Sequence, residues 1–330
     1  MGQILAIVSS KGGVGKTTTA VNLAAAFASL DFPTLLVEAD PQCGLVANFG
    51  FDRYSIPKGL AEVARGEARL EETTFETPVA GLHVVSSNIW TQEEEAQYLS
   101  ALEKDPLILR RAAAFLKDGY DYIIIDAPPM LGPITMAVLA AADRFVVPLS
   151  TEPHAIRSLS RLMEAANLVR SRHNADLKFD GVALTMVDTR TRVSTETANM
   201  VRTVYKDQVF STMIPRSVRL AEVSPTGRPI AVSDPSSRGG RAYMSLAEEI
   251  LLGHARERAI ERTDIDDAEL EEAIEIEIDA EDRLSSEPGP RTHTSEEGQS
   301  GERSVAVVES GMKSGTAVAE DEKWEDDWER

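Results

Sequence analysis

Short apolar runs alternate along the chain with longer segments in which apolar residues recur at helical spacing. The runs predict buried strands at residues 3–9, 34–40, 81–86, 120–126, 144–148, 179–187 and, more briefly, 209–214. A strand buried on both faces shows a continuous apolar run, whereas a helix covering a sheet shows an apolar stripe. This alternation predicts an α/β fold in which a mostly parallel, twisted sheet carries helices on both faces.

The segments between these runs predict the connecting helices. Helical spacing is found at 17–30, at 92–117 with a break near Pro106, and at 134–142, 155–172, 194–205 and 242–258. Ligands of parallel sheets bind at the carboxyl ends of the strands. The loop 10–18 and the carboxylates of Asp40 and Asp126 are all predicted to lie at that edge.

The composition changes near residue 260. Residues 254–330 hold 25 acidic and 9 basic residues, so they carry −16 of the formal net charge of −20. A segment this acidic, with few aromatic residues, cannot bury enough apolar surface to offset its ordering entropy. We therefore predict a folded domain over 1–258 and an acidic, largely disordered tail over 259–330. Within the tail, 264–283 is a candidate transient helix, and Trp324 and Trp328 suggest a docking motif.

A glycine-rich loop with two lysines, Lys11-Gly-Gly-Val-Gly-Lys-Thr-Thr18, follows the first predicted strand. It fits the frame G-x-x-x-x-G-K-[ST] except at the first glycine, so it is a deviant Walker A motif of a P-loop NTPase. Glycines let successive N–H groups point at phosphate oxygens, and the following helix adds its positive dipole end. Lys16 would neutralise the β- and γ-phosphates, Thr17 would bind Mg²⁺ and Thr18 would hydrogen-bond the α-phosphate.

The sequence thus predicts ATP and Mg²⁺ as ligands. The candidate nucleotide-binding residues of the loop are Gly12, Gly13, Val14, Gly15, Lys16, Thr17 and Thr18. Asp126 ends the apolar run Tyr-Ile-Ile-Ile-Asp, and an apolar strand delivering one carboxylate is the Walker B arrangement, which binds Mg²⁺ through water.

The segment 11–18, together with Leu-Leu-Val-Glu-Ala-Asp-Pro-Gln ending at Gln42, resembles the ParA/MinD group of ATPases. The resemblance implies a dimer with ATP sandwiched between two copies, in which Lys11 reaches the partner's nucleotide. It implies that Asp40 positions the attacking water beside the metal, so Lys11, Lys16 and Asp40 are candidate catalytic residues and Thr17, Asp40 and Asp126 candidate metal-site residues. Two positions depart from the family pattern, because Glu38 replaces the usual Asp and Cys43 the usual Gly.

The resemblance continues to about residue 253 and is specific to the chromosomal ParA (Soj) branch. By analogy, Met186 and Pro215 would lie near the adenine. Several arginines crowd the second half of the domain: Arg190, Arg192, Arg202, Arg216, Arg219, Arg228, Arg238 and Arg241. Binding to DNA without sequence preference requires cations that reach phosphates. The candidate DNA-binding residues are Arg190 and Arg219, through the resemblance, with Arg216 and Arg241.

The function that these features favour is an ATP-dependent dimerising switch. It would bind nucleoid DNA and position a chromosome, plasmid or protein cargo, with a ParB-like activator or cargo adaptor stimulating slow hydrolysis. Cys43 is the chain's only cysteine, which fits a reducing cytosol, so the expected location is cytoplasmic and nucleoid-associated. No membrane partner is expected, because an acidic tail is repelled by anionic lipid.

Three alternatives remain open. The first is a membrane-associated positioning ATPase of the MinD type, and the second a regulatory ATP-binding protein with negligible turnover. The third is an iron protein of the nitrogenase type, which a lone Cys43 disfavours because one thiolate cannot hold a bridged iron–sulfur cluster. A further hypothesis is that the acidic tail competes with DNA for the basic face.

Overall fold

The computed structural model describes residues 2–52, 56–220 and 227–262. Within these ranges the strands are β1 (Gln3–Ile7), β2 (Thr34–Glu38), β3 (Phe75–Glu76), β4 (Leu82–Val85), β5 (Tyr122–Asp126), β6 (Arg144–Ser150), β7 (Lys178–Val187) and β8 (Val209–Pro215). The α-helices are α1 (Lys16–Ser29), α2 (Leu60–Arg65), α3 (Gln92–Lys104), α4 (Ile108–Ala114), α5 (Pro133–Ala141), α6 (Ala155–Arg172), α7 (Arg192–Tyr205), α8 (Ile230–Ser233) and α9 (Arg238–Arg262). None of these helices is both long enough and apolar enough to cross a membrane.

The described strands form one sheet in the order β3-β4-β2-β5-β1-β6-β7-β8. Every pairing is parallel except that of β3 with β4. At the centre of the sheet, Asp126 is in register with Ile7 on one side and Glu38 on the other. The three central strands therefore end together, and the loops that follow them meet at one edge.

Alternate side chains of the central strands enter two separate cores. Ile4 and Ala6 of β1 pack with residues of α2 to α7 on one face. Leu5 and Ile7 pack against α1, α8 and α9 on the other. The alanine-rich helix α1 lies almost wholly inside this second core, so small side chains let it approach the sheet closely. The predicted three-layer α/β architecture is confirmed.

A buried polar network joins α9 to the opposite, amino-terminal edge of the sheet. His254 lies between Tyr122, with 3.0 Å from Nδ1 to the hydroxyl, and Asp180, with 2.7 Å from Nε2 to Oδ2. Arg144 pairs with the same Asp180 carboxylate and forms a bidentate pair with Glu257. Since α9 also packs beside α1, this network helps to hold the helix that follows the phosphate loop.

Most predicted elements are confirmed, and the differences have identifiable causes. The break predicted near Pro106 is confirmed, because the segment 92–117 forms the two helices α3 and α4. Helix α9 begins four residues earlier than predicted and continues to Arg262, beyond the expected end of the domain at 258. Within this early part of α9 the chain packs so closely against the preceding segment that a Cβ on Gly240 would lie 2.2 Å from the Asp234 carbonyl oxygen, so glycine is required there. The predicted tail beyond Arg262, with its candidate helix and tryptophans, lies outside the described residues.

Three short elements have no counterpart among the sequence predictions: α2, β3 and α8. Each is at most six residues long, which is too short for an apolar period to be recognised.

Candidate functional site

The glycine-rich loop connects β1 to α1 at the carboxyl end of the sheet. Gly13 and Gly15 have positive φ angles of 74° and 82°, in the left-handed region that favours glycine. The Thr185 hydroxyl of β7 donates to the Val14 carbonyl oxygen at 2.8 Å, which fixes the loop to the sheet. No acidic residue lies in the first turn of α1, so the positive end of the helix dipole is not neutralised locally.

Lys16 and Thr17, the first residues of α1, converge on Asp126 at the end of β5. Lys16 Nζ lies 2.6 Å from Asp126 Oδ1, and the Thr17 hydroxyl donates to Oδ2 at 2.7 Å. Asp126 is fully buried and Lys16 nearly so. Burial raises the pKa of Asp126, although the Lys16 ammonium opposes the shift. The structure thus brings Lys16, the predicted phosphate-binding lysine, together with Thr17 and Asp126, two of the three predicted metal-site residues.

Asp40 lies in the loop after β2, where its carboxylate accepts the backbone N–H of Gln42 at 3.0 Å. The Ser87 hydroxyl donates to the Asp40 carbonyl oxygen at 2.8 Å and lies 2.9 Å from Cys43 Sγ. Cys43 is buried, and its φ of 49° lies in the left-handed region that glycine adopts more readily, which is consistent with the glycine expected here from the family pattern. The charge of Asp40 contributes to raising the pKa of Asp126, so the two carboxylates are close enough to interact.

Glu38, at the end of β2, is a buried carboxylate that ties this loop to β4. It accepts N–H groups from Leu45 at 2.5 Å and Ser87 at 3.4 Å, and the Ser86 hydroxyl at 3.1 Å. Burial, opposed by the Leu45 hydrogen bond, raises the pKa of Glu38 to about 7. The longer arm of Glu relative to Asp is therefore used to reach backbone donors on two loops.

Lys11, at the start of the phosphate loop, is half-exposed and forms an ion pair with Glu152 after β6. A groove beside it of about 670 Å³ is lined by Met130 and Leu131 after β5 and by Arg157 and others of α6. Met130 is 70% exposed and adds an apolar surface to this groove. Lys11 is thus held within its own chain, at the rim of an open, partly apolar groove.

The residues expected near the adenine line a second cleft, of about 340 Å³, beside the phosphate loop. Met186 and Pro215 lie on it together with Gly15 and Thr18 of the loop. Met186 has a φ of 52°, so the backbone turns sharply where β7 ends. The structure therefore places both predicted base-binding residues next to the phosphate-binding residues.

Three of the four candidate DNA-binding arginines meet in a third cleft, of about 510 Å³, between the ends of β7 and β8 and the start of α9. Arg190, Arg216 and Arg241 line it together with Arg238. The fourth candidate, Arg219, does not line this cleft and pairs with Asp234 at 2.6 Å. Among the described residues that line this cleft, Asp188 alone is acidic. The hydrogen bonds from Arg190 lower the pKa of Asp188 to about 2.

Sequence reasoning missed the partners of several of these groups. Glu152 belongs to no recognisable motif. It lies 141 residues after Lys11 in the sequence, and folding alone brings the two side chains together. Arg238 was one of eight crowded arginines, and its place in the cleft follows from the early start of α9. Asp188 lies only two residues before Arg190, and this spacing is the signal from which their ion pair could have been predicted.

Comparison with known proteins places this arrangement in a family. A family model described as an AAA domain matches residues 2–179. The sporulation initiation inhibitor protein Soj of Bacillus subtilis is 38% identical over 250 residues, covering 76% of this chain and 98% of Soj. The chromosome partitioning protein ParA of Myxococcus xanthus is 38% identical over 251 residues, covering 76% of this chain and 88% of ParA.

A solved structure shows the same fold with ligands. Cobyrinic acid a,c-diamide synthase from Mycobacterium smegmatis, with bound ATP analog and magnesium, is 30% identical, with a TM-score of 0.66 over 76% of this chain and 95% of that one. The family model spans more than half of this chain, and Soj and ParA are matched over most of their length. The chain therefore belongs to the ParA/MinD family of P-loop proteins, together with the Soj and ParA partitioning proteins.

Proposed function

We propose that this chain is an ATP-dependent dimerising switch that binds DNA without sequence preference and positions a chromosome, plasmid or protein cargo. Its ATP hydrolysis is slow and is stimulated by a ParB-like activator or cargo adaptor. The observation that carries the proposal is the convergence of Lys16 and Thr17 on Asp126 beneath a left-handed glycine loop. The 38% identity to a ParA and to a second Soj that are named chromosome-partitioning proteins supports a chromosome among these cargoes.

The residues present fit ATP and Mg²⁺. The Thr17 hydroxyl and the Asp126 carboxylate are the hard oxygen groups that Mg²⁺ prefers, and their oxygens lie 2.7 Å apart. The N–H groups of 12–18 and Lys16 would hold the phosphates, while Met186 and Pro215 would flank the base. Bound Mg²⁺ would neutralise charge on the phosphates.

Lys11 supplies the proposed link between nucleotide and dimerisation. It is half-exposed beside an open groove, and its partner within the chain is a half-exposed carboxylate, Glu152. An ion pair this exposed holds weakly. Lys11 can therefore leave Glu152 for the triphosphate of a second copy, where its charge stabilises the transferred phosphate.

Asp40 is proposed to orient the attacking water. The Asp40 carbonyl oxygen accepts a hydrogen bond from Ser87, and Glu38 binds the Leu45 N–H in the same loop. These contacts fix the backbone from which the Asp40 carboxylate projects. One carboxylate oxygen accepts the Gln42 N–H. The other has room for water, because Asp40 is only partly buried.

The DNA-binding part of the proposal rests on the exposed arginines at the ends of β7, β8 and α9. Arg190, Arg216 and Arg241 line one cleft, and Arg219 lies on the segment that follows β8. Contacts between arginine and phosphate make affinity fall steeply with salt. We assign these activities to a domain over 1–258 and propose a cytoplasmic, nucleoid-associated location.

The experiment compares the wild type with Lys11→Ala, using a non-hydrolysable ATP analogue. Wild type is expected to become dimeric in analytical ultracentrifugation and to hydrolyse ATP slowly, whereas Lys11→Ala binds nucleotide and stays monomeric. Lys58→Ala is the matched control, because Lys58 is also half-exposed and pairs with a carboxylate, Glu72, but lies away from the loop. A wild type that remains monomeric with the analogue would refute the proposal.

A further inference from the structure

The arginine cleft contains its own acidic group. Arg190 Nε donates to Asp188 Oδ1 at 2.9 Å, and Nη2 donates to Oδ2 at 2.8 Å. Both bonds use one edge of the guanidinium, which is the edge that binds a phosphate in bidentate fashion. The Asp188 carboxylate therefore engages the same two N–H groups of Arg190 that a phosphate group would bind.

The other three arginines of the cleft form no ion pair with a carboxylate of the described residues. Arg241 donates to the Ser236 carbonyl oxygen at 2.6 Å, and Arg216 and Arg238 make no ion pair there. All four arginines of the cleft are exposed to solvent. Against four positive charges stands the single negative charge of Asp188, so the cleft has a surplus of three and attracts anions.

Backbone hydrogen bonds fix the segments that carry these arginines, so their Cα positions around the cleft are held in place. The Arg216 N–H donates to the Val187 carbonyl oxygen at 3.0 Å, which joins the end of β8 to the end of β7. The Asp188 N–H donates to the Ser194 hydroxyl at 3.0 Å, and that hydroxyl lies 2.6 Å from Thr151. Arg238 and Arg241 lie in the first turn of the long helix α9, which has no acidic residue there, so the helix dipole adds to the positive potential.

We propose that this cleft binds a backbone phosphate of DNA and that Asp188 is a built-in competitor which must release Arg190 before that phosphate binds. The proposal rests on the proposed DNA binding and adds to it the phosphate position, the contribution of Arg238 and the role of Asp188. The Asp188 side chain is 18% exposed and that of Arg190 is 87% exposed, so the guanidinium half of this bidentate pair is screened by water and salt and can leave the carboxylate for a phosphate. Asp188 thereby weakens contacts with isolated phosphates, while the regularly spaced phosphates of a duplex still bind.

The test measures binding of the full chain, with a non-hydrolysable ATP analogue, to a labelled duplex of random sequence over a series of salt concentrations. Asp188→Asn is expected to tighten binding about three- to tenfold at low salt, the effect of removing one unit charge several ångströms from a phosphate. Arg238→Ala is expected to weaken binding and to reduce the slope of log affinity against log salt by about one. Asp188→Glu retains the carboxylate and should bind like the wild type.

Two controls separate local from global charge. Asp176→Asn and Arg172→Ala make the same changes of net charge at exposed positions near the opposite end of the sheet, before β7 and at the end of α6. Both are expected to bind DNA like the wild type. If Asp188→Asn binds no more tightly than Asp176→Asn, Asp188 is not a competitor and the inference is wrong.

Further outcomes distinguish this inference from the proposed function. If the wild type fails to bind duplex DNA at any salt concentration, the proposed DNA binding fails first. If the wild type binds but Arg238→Ala and Arg172→Ala behave alike, only the assignment of the cleft fails. A parallel titration with inorganic tripolyphosphate tests the source of the phosphate, because an effect of Asp188→Asn on tripolyphosphate but not on DNA would overturn the assignment to DNA.

Discussion

Lys16 and Asp126 form a buried ion pair at the centre of the sheet, with 2.6 Å between Nζ and Oδ1. The two residues lie 110 positions apart in sequence, and they meet because β1 and β5 are parallel neighbours whose carboxyl ends coincide. In the free chain each neutralises the other. When nucleotide and metal bind, the Lys16–Asp126 ion pair would be replaced by two others, Lys16 with phosphate and Asp126 with the hydrated metal. Neither buried charge would then be left without a partner.

The first prediction concerns Asp126→Asn, which keeps the shape of the side chain and removes its charge. We expect nucleotide to bind while Mg²⁺ no longer strengthens that binding, and we expect turnover to fall by roughly 100-fold, as when one electrostatic contribution to a transition state is lost. Calorimetric titration with and without Mg²⁺, together with a phosphate-release assay, measures both effects. Asp121→Asn, an exposed carboxylate just before the same strand, is the control. An unchanged response to Mg²⁺ would show that the metal is held elsewhere.

The sequence predicts this part of the site well because the signals are local. An apolar run followed by glycines defines a strand, a loop and a helix, and the rule for parallel sheets brings Asp126 to the same edge. Long-range pairs are not encoded in this way. Glu152 reaches Lys11 only because β6 adjoins β1, and Arg238 enters the arginine cleft only because α9 packs beside β8. Arg219, a candidate through the family resemblance, does not line the arginine cleft; it follows β8 and pairs with Asp234.

The second prediction concerns Glu152→Gln, which removes the partner of Lys11 in the same chain. If the ion pair holds Lys11 back, its loss should let the variant dimerise at a lower concentration of the ATP analogue, by no more than about fivefold, because exposed pairs are weak. Sedimentation over a series of analogue concentrations measures the shift. Glu164→Gln, on the exposed side of α6, should leave it unchanged. Weaker dimerisation of Glu152→Gln would mean instead that Glu152 contacts the second copy.

The third prediction concerns Asp180→Ala at the amino-terminal edge of the sheet. Asp180 contacts both Arg144 and His254, and all three side chains are almost fully buried. Removing the carboxylate leaves the Arg144 charge supported by Glu257 alone, so we expect a loss of about 3–5 kcal/mol in the free energy of unfolding. Urea unfolding followed by circular dichroism gives the value. The exposed Asp176→Ala should change it by less than about 0.5 kcal/mol, and equal losses in the two variants would contradict the role of the network.

The last prediction follows from Glu38, whose pKa is raised by burial to about 7 from a usual value of 4.5. Between these two pH values the folded chain keeps the Glu38 proton and the unfolded chain releases it. The unfolded state therefore binds fewer protons, and the free energy of unfolding falls as the pH rises from about 4.5 to 7. Glu38→Gln cannot titrate and lacks this contribution.

The wild type should consequently lose about 2.5 kcal/mol relative to Glu38→Gln between pH 5 and pH 8, because this window covers most of the shift at about 1.4 kcal/mol for each pKa unit. Urea unfolding at several pH values, without nucleotide or metal, measures the difference between the two proteins, and the titration of all other groups largely cancels in it. Glu196→Gln, an exposed carboxylate on α7, should show no such trend. A difference that stays constant with pH would mean that Glu38 is ionised throughout, with the N–H groups of Leu45 and Ser87 fully compensating for its burial.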